Sequence, residues 1–152
     1  MRGFQKIQRP HILGCPWGEP STALHPSQGI SSRCMVDLVV VGSVAVSIYG
    51  ERLGKGEGYS ELEYSILREF NKVSEETPIT TTIHDTQVVN LHIPLEPWDF
   101  TIDYIFTPTK SIKREGEKKR PPELLWQHLD REKIEGIPLL REMLSRKSSG
   151  DK

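Results

Sequence analysis

Apolar and polar positions change rhythm at Met35. Before it, Phe4, Ile7, Ile12, Leu13 and Trp17 follow no sustained period, and Pro10, Pro16, Pro20 and Pro26 are interspersed with Gly3, Gly14, Gly18 and Gly29. Proline removes a backbone donor and glycine raises the entropy cost of ordering, so residues 1–35 predict an irregular, disordered extension without a long element. Residues 36–41 are a β-branched run apolar on both faces, the pattern of a strand buried in a parallel sheet. Gly42 and Ser43 end it, and Val44, Ala45 and Val46 lead toward a turn at Tyr49 and Gly50. Leu62, Ile66, Phe70 and Val73 then recur at helical spacing and predict an amphipathic helix over 59–73. Pro78 opens a second strand over 79–83; a third, over 101–106, follows a turn near Trp98. Strand, helix, strand and strand in this order describe an α/β crossover sheet.

Beyond it the pattern turns polar. Residues 110–120 mix Lys110, Lys113, Arg114 and Lys118 with Glu115 and Glu117, then stop at Pro121 and Pro122. Two short helices are expected over 123–129 and 138–144, with Leu124, Leu125, Trp126, Ile137, Leu139 and Leu140 packing back on the sheet. The expected organisation is an extension (1–35), an α/β half-domain (36–110), a charged linker (111–122) and a helical tail (123–152). The fold class is α/β, a Rossmann-like and mostly parallel sheet with flanking helices, incomplete as it stands.

Composition narrows the function classes. The 152 residues suit one domain, and a formal net charge of −1 gives no global pull toward nucleic acid or anionic membrane. No apolar run approaches the roughly 20 residues of a membrane span, and the first residues lack a signal-peptide core. The expected compartment is the cytoplasm. Cys15 and Cys34, without a CxxC or paired histidines, read as unpaired reduced thiols.

The stretch with most chemistry is Arg52, Leu53, Gly54, Lys55, Gly56, Glu57, Gly58 and Tyr59, with three alternating glycines between strand and helix. Such glycines let backbone amides point into one concavity, the helix behind adds a positive dipole end, and Arg52 and Lys55 supply charge for phosphate oxygens. Neither GxxxxGK[ST] nor GxGxxG is present, so spacing alone leaves a phosphate cradle and a solvated turn both open.

The strings DLVVV at 37–41, GERLGKGEGY at 50–59 and TIDYIFT at 101–107 resemble the C-terminal half of the 5-formyltetrahydrofolate cyclo-ligase (methenyltetrahydrofolate synthetase) family. VGSVAVS at 41–47, GKGEGY at 54–59 and LEY at 62–64 are similar to its methenyltetrahydrofolate synthetase domain-containing branch. The resemblance implies a fold like that of CoA transferases, with ATP and Mg²⁺ as cofactors and closure of 5-formyltetrahydrofolate to 5,10-methenyltetrahydrofolate as the reaction. It implies that Arg52, Gly54, Lys55, Gly56, Glu57, Gly58 and Tyr59 hold the ATP phosphates, that Glu61 meets Mg²⁺, and that Gln87 and Asp99 lie near the site. No catalytic residue is assigned. The family has arginine and lysine in this loop where the chain has Lys55 and Glu57; the first exchange loses a bidentate fork and the second reverses a charge. The family's N-terminal half is expected to have no counterpart in residues 1–35, which makes the chain alone a poor cyclo-ligase, a fragment or a sequence with a foreign start. The alternative function is a catalytically inactive nucleotide-binding or interaction module, a truncated and RNA-associated paralogue.

Glu61 also suits the helix dipole as an ordinary first-turn carboxylate. His84 and Asp85 are adjacent on an extended chain and point apart, so His84 reads as a site-lining or strand-end residue rather than half of a catalytic pair. Residues 110–120 lack an aromatic RNA-binding signature, and Trp98 and Trp126 read as packing anchors. The expected partners are a nucleotide and a reduced folate, with no membrane or nucleic acid. An incomplete sheet adds self-association or a partner over its exposed edge.

Overall fold

The computed structural model describes residues 35–121 and 123–150; the segment 1–34, with both cysteines, lies outside the described residues. Strand β1 (Val39–Val41) is followed by the short strands β2 (Ala45–Ser47) and β3 (Arg52–Leu53) and by helix α1 (Tyr59–Glu69). Then come β4 (Ile79–Thr82), β5 (Val88–Val89), β6 (Tyr104–Phe106) and β7 (Ser111–Lys113). Helices α2 (Arg131–Gly136) and α3 (Pro138–Gly150) complete the tail.

The strands form two sheets. One has the order β1-β4-β6-β7, with β1 and β6 parallel to β4 and β7 antiparallel to β6. The other has the order β3-β2-β5, antiparallel on one side and parallel on the other. The expected α/β fold, a mostly parallel sheet with flanking helices, is what forms. Its core joins Val46, Ile79, Phe100, Ile102 and Ile105 to Tyr64 of α1.

Several local expectations change. β1 is an edge strand of the described sheet, with Leu38 and Val40 exposed, rather than a strand covered on both faces. Its β-branched run reports strand preference, and tertiary placement decides which face is covered. The helix ends at Glu69, short of Val73, because Asn71 adopts φ 52°. Lys72 N donates to Leu67 O at 2.8 Å and Asn71 N to Arg68 O at 2.9 Å, the paired bonds of a left-handed helix stop.

Residues 111–113, expected in a charged linker, pair with β6 as its edge neighbour, Ile112 facing Ile105. The charges that suggested a solvated linker are partly consumed inside: Arg114 and Arg120 both pair with Asp103, and the Arg120 side chain is buried. Burial pushes the Arg120 guanidinium below its usual range, with the Asp103 charge opposing that shift. In the tail, 126–128 form a single 3₁₀ turn, while α2 appears where no helix was expected. The tail's apolar residues also find a different partner. Leu124, Leu139, Leu140 and Met143 pack on Leu62 and Ile66 of α1, not on the sheet. Helix α1 is thus held on two faces, by the sheet through Tyr64 and by the tail through Leu62 and Ile66.

Candidate functional site

Pinned on both faces, α1 points its N-terminus at the loop that follows β3. Arg52 belongs to β3, opposite Val46, so its backbone is fixed by the sheet and not by the loop. Its side chain turns inward, forming an ion pair with Glu61 from the first turn of α1; the two side chains are only 6% and 12% exposed. The guanidinium also donates to Ser60 Oγ at 3.1 Å and to Gly42 O at 3.0 Å, and lies 5.7 Å from the Phe100 ring centre.

The glycines make this packing feasible. A Cβ on Gly54 would stand 2.8 Å from Arg52 Nη2, so a side chain there would push the guanidinium out of its place under the loop. Gly58 sits at the N-cap of α1 with φ 70°, and no side chain caps the helix. The amides of the first helical turn are therefore without a side-chain acceptor. Lys55, Glu57 and Tyr59 are exposed around it.

These elements line an open cleft of about 660 Å³, within the size range of ligand sites. The loop from Arg52 to Glu61 forms one wall; Gly42, Ser43 and Val44 form a second; Ile93, Pro94, Glu96, Trp98 and Asp99 form a third. Asp99 contributes by geometry: its Oδ2 accepts from Glu96 N at 2.7 Å and closes the turn beneath that wall. Gln87 stands outside the cleft and shapes it, its amide donating to Ser43 O at 3.2 Å and Val44 O at 2.9 Å. His84 is exposed and caps the short 3₁₀ turn over 85–87, where its Nδ1 accepts from Thr86 N. Asp85 turns to the hydroxyls of Thr107 and Thr109, whose hydrogen bonds hold its carboxyl below the usual range. His84 and Asp85 are not hydrogen-bonded to each other.

Glu51 lies in the 50–59 string without an expected role, yet it anchors the third wall. Its largely buried carboxylate accepts from Ile93 N at 2.7 Å and Ser47 Oγ at 3.0 Å, and lies 2.7 Å from His92 Nδ1. Burial alone would raise its pKa; the bonds from His92, Ile93 and Ser47 outweigh burial and hold it below 4.5. A second cavity, about 230 Å³, shares Gly56, Glu57, Gly58, Glu61 and Trp98 with the cleft and is closed by the tail residues Leu125, His128 and Lys133. Trp98 and His128 meet there with ring centres 4.7 Å apart. Sequence proximity offers no signal for these contacts, because they join segments far apart along the chain.

The model of the 5-formyltetrahydrofolate cyclo-ligase family matches residues 10–108. The chain belongs to that family. The match starts well inside the segment 1–35 that composition set apart, so the change of rhythm at Met35 is not a family boundary. Among relatives, the methenyltetrahydrofolate synthase domain-containing protein of Homo sapiens is 46% identical over 125 residues, covering 82% of this chain and 33% of its own length. Its counterpart in Bos taurus is 46% identical over 116 residues, covering 76% and 30%. The protein of the same name in Danio rerio is 40% identical over 116 residues, with the same coverage of 76% and 30%. This cyclo-ligase-family chain spans about a third of the length of those relatives. Its cyclo-ligase motifs at 41–47, 50–59 and 101–107 all fall within the family match. No described helix is long and apolar enough to cross a membrane.

Proposed function

We propose that this chain is a nucleotide-binding module of the cyclo-ligase family, taking ATP with Mg²⁺ in the cleft beside the Arg52–Tyr59 loop. The observation that carries this reading is the cleft itself: in a chain of an ATP-dependent family, the glycine loop, an uncapped helix start and the Arg52–Glu61 pair all line one opening. The residues present suit the group. Uncapped first-turn amides and Lys55 favour phosphate oxygens. Glu61 is a single carboxylate, and among the described residues no three His, Cys, Asp or Glu side chains gather to hold a metal. The support for Mg²⁺ is Glu61 alone, at the opening where the phosphates would lie, since Mg²⁺ keeps much of its water and is bound through one or two carboxylates together with substrate phosphates.

In the family reaction, ATP supplies a phosphoryl group that activates the formyl oxygen before ring closure. The protein's part would be to orient the phosphates through the loop amides and to balance their charge. Arg52 and Glu61 satisfy each other in this structure; engagement of a metal-bound triphosphate would draw Glu61 toward the cation, while Arg52 holds the loop from beneath. Glu57 opposes phosphate binding. Two unit charges ~5 Å apart repel by roughly 3 kcal/mol at an effective dielectric of 20. We therefore propose binding in this chain without efficient turnover, a reduced folate being the second ligand of the family.

Calorimetric titration with ATP, with and without Mg²⁺, tests the reading. Saturable binding strengthened by Mg²⁺ is expected, and absence of ATP binding overturns it. Methenyltetrahydrofolate formation, followed by absorbance, is expected to stay below about 1 s⁻¹, the lower end of ordinary enzyme turnover. Turnover in the ordinary range would show the chain to be a competent cyclo-ligase.

A further inference from the structure

We propose that Lys133, carried by α2 in the tail, supplies a second phosphate-facing charge at the glycine loop beside Lys55, making the tail part of the ligand site. This inference rests on the nucleotide reading of the cleft and adds a residue to it. Arg52 was the obvious candidate for that charge from its position in the motif. In the structure its guanidinium is nearly buried and neutralised by Glu61, leaving little free charge to present.

Lys133 arrives from the opposite side. Its Nζ lies 5.7 Å from the centre of the Tyr59 ring and 3.7 Å from where a Cβ on Gly58 would be. It lines the smaller cavity together with Gly56, Gly58 and Glu61. Among the described residues no carboxylate forms an ion pair with it, whereas Arg52, Arg114 and Arg120 are all paired. The ring of Tyr59 holds the ammonium beside the backbone without neutralising it, since a cation over an aromatic face keeps its full charge.

The tail can hold Lys133 there because it is built onto α1. Leu124, Leu139 and Leu140 pack on Leu62 and Ile66, one turn beyond the loop. The α1 start and the α2 lysine are therefore placed relative to one another by apolar contacts of the segments that flank α2, Leu124 before it and Leu139 and Leu140 after it. A lysine is a point donor for phosphate and needs no bidentate fork, so it suits a loop that has lost the family's arginine.

The test compares wild type, Lys133→Met and Lys133→Arg as full chains, titrated with Mg²⁺-ATP and separately with inorganic tripolyphosphate. Methionine keeps the stem against Tyr59 and removes the charge. Thermal melts of all three should coincide, because the head group is not part of the core. Loss of one charge-assisted contact is expected to weaken both ligands by roughly tenfold to a hundredfold in Lys133→Met, with arginine restoring most of the affinity. Equal ATP affinity in wild type and Lys133→Met overturns the role of Lys133 and leaves the nucleotide reading standing. Tripolyphosphate binding that depends on Lys133, without ATP binding, supports the lysine and overturns the nucleotide reading. If wild type binds neither ligand, both fall.

Discussion

Arg52 and Glu61 form an ion pair that ties strand β3 to the first turn of α1 directly beneath the glycine loop. Both side chains are largely removed from solvent, so the pair behaves differently from a surface salt bridge. Removing one partner leaves a nearly buried charge unmatched. Arg52→Ala and Glu61→Ala are each expected to cost about 3 kcal/mol or more, and the double variant less than their sum. Urea denaturation of the two single variants and the double variant checks this. Strict additivity would show that the pair does not couple in solution.

Glu61 is also the candidate Mg²⁺ contact, which separates its role from that of Arg52. Glu61→Gln is expected to abolish the strengthening of ATP binding by Mg²⁺ while retaining metal-free binding. Arg52→Ala is expected to weaken ATP with and without the metal. Calorimetry in Mg²⁺ and in EDTA distinguishes the two; an unchanged Mg²⁺ effect in Glu61→Gln removes the metal assignment.

Glu51 makes stability depend on pH through the wall it anchors. Its folded pKa lies below the ordinary value of 4.5, because hydrogen bonds to the charged form outweigh burial. A depressed carboxylate contributes stability that is fully present above the unfolded pKa and is lost as pH falls through the folded value. The stability gap between wild type and Glu51→Gln should therefore be constant near neutrality and shrink below about pH 4.5. Urea midpoints measured from pH 7 down to pH 3 follow it; a gap that widens on acidification contradicts the assignment.

Leu140 is fully buried in the contact between tail and helix. Leu140→Ala is expected to cost about 2–5 kcal/mol, the usual range for a buried leucine cut to alanine. Phosphate affinity should fall as well, because α3 loses a contact with α1 that anchors the tail, and α2 with its Lys133 is joined directly to α3. Thermal melts and a tripolyphosphate titration at a temperature where the variant stays folded measure the two effects separately.

Part of this was legible in the residues taken in order. The β-branched runs around Val40, Thr80 and Ile105 and the stripe from Leu62 to Phe70 announce the parallel sheet and its crossover helix. The glycine string sits between strand and helix as its punctuation predicts. These features are local: backbone sterics and the 2- and 3.6-residue periods are written into neighbouring side chains. The strands β3, β5 and β7 were not legible in the same way. β3, β5 and β7 exist because a partner offers its ladder, and Arg52, Val88 or Ile112 carries no sign of which partner that will be.

The loop from Arg52 to Tyr59 shows the division most clearly. Composition and spacing determined that this segment bends tightly, exposes backbone amides and opens a helix. Only the tertiary structure decided where its charges go. Arg52 is turned inward onto Glu61, and Lys133, remote in sequence, is carried to the outer side by a tail that packs on α1 instead of on the sheet. Charge pairing and apolar burial act through space, so which cation faces the ligand depends on how distant segments come together.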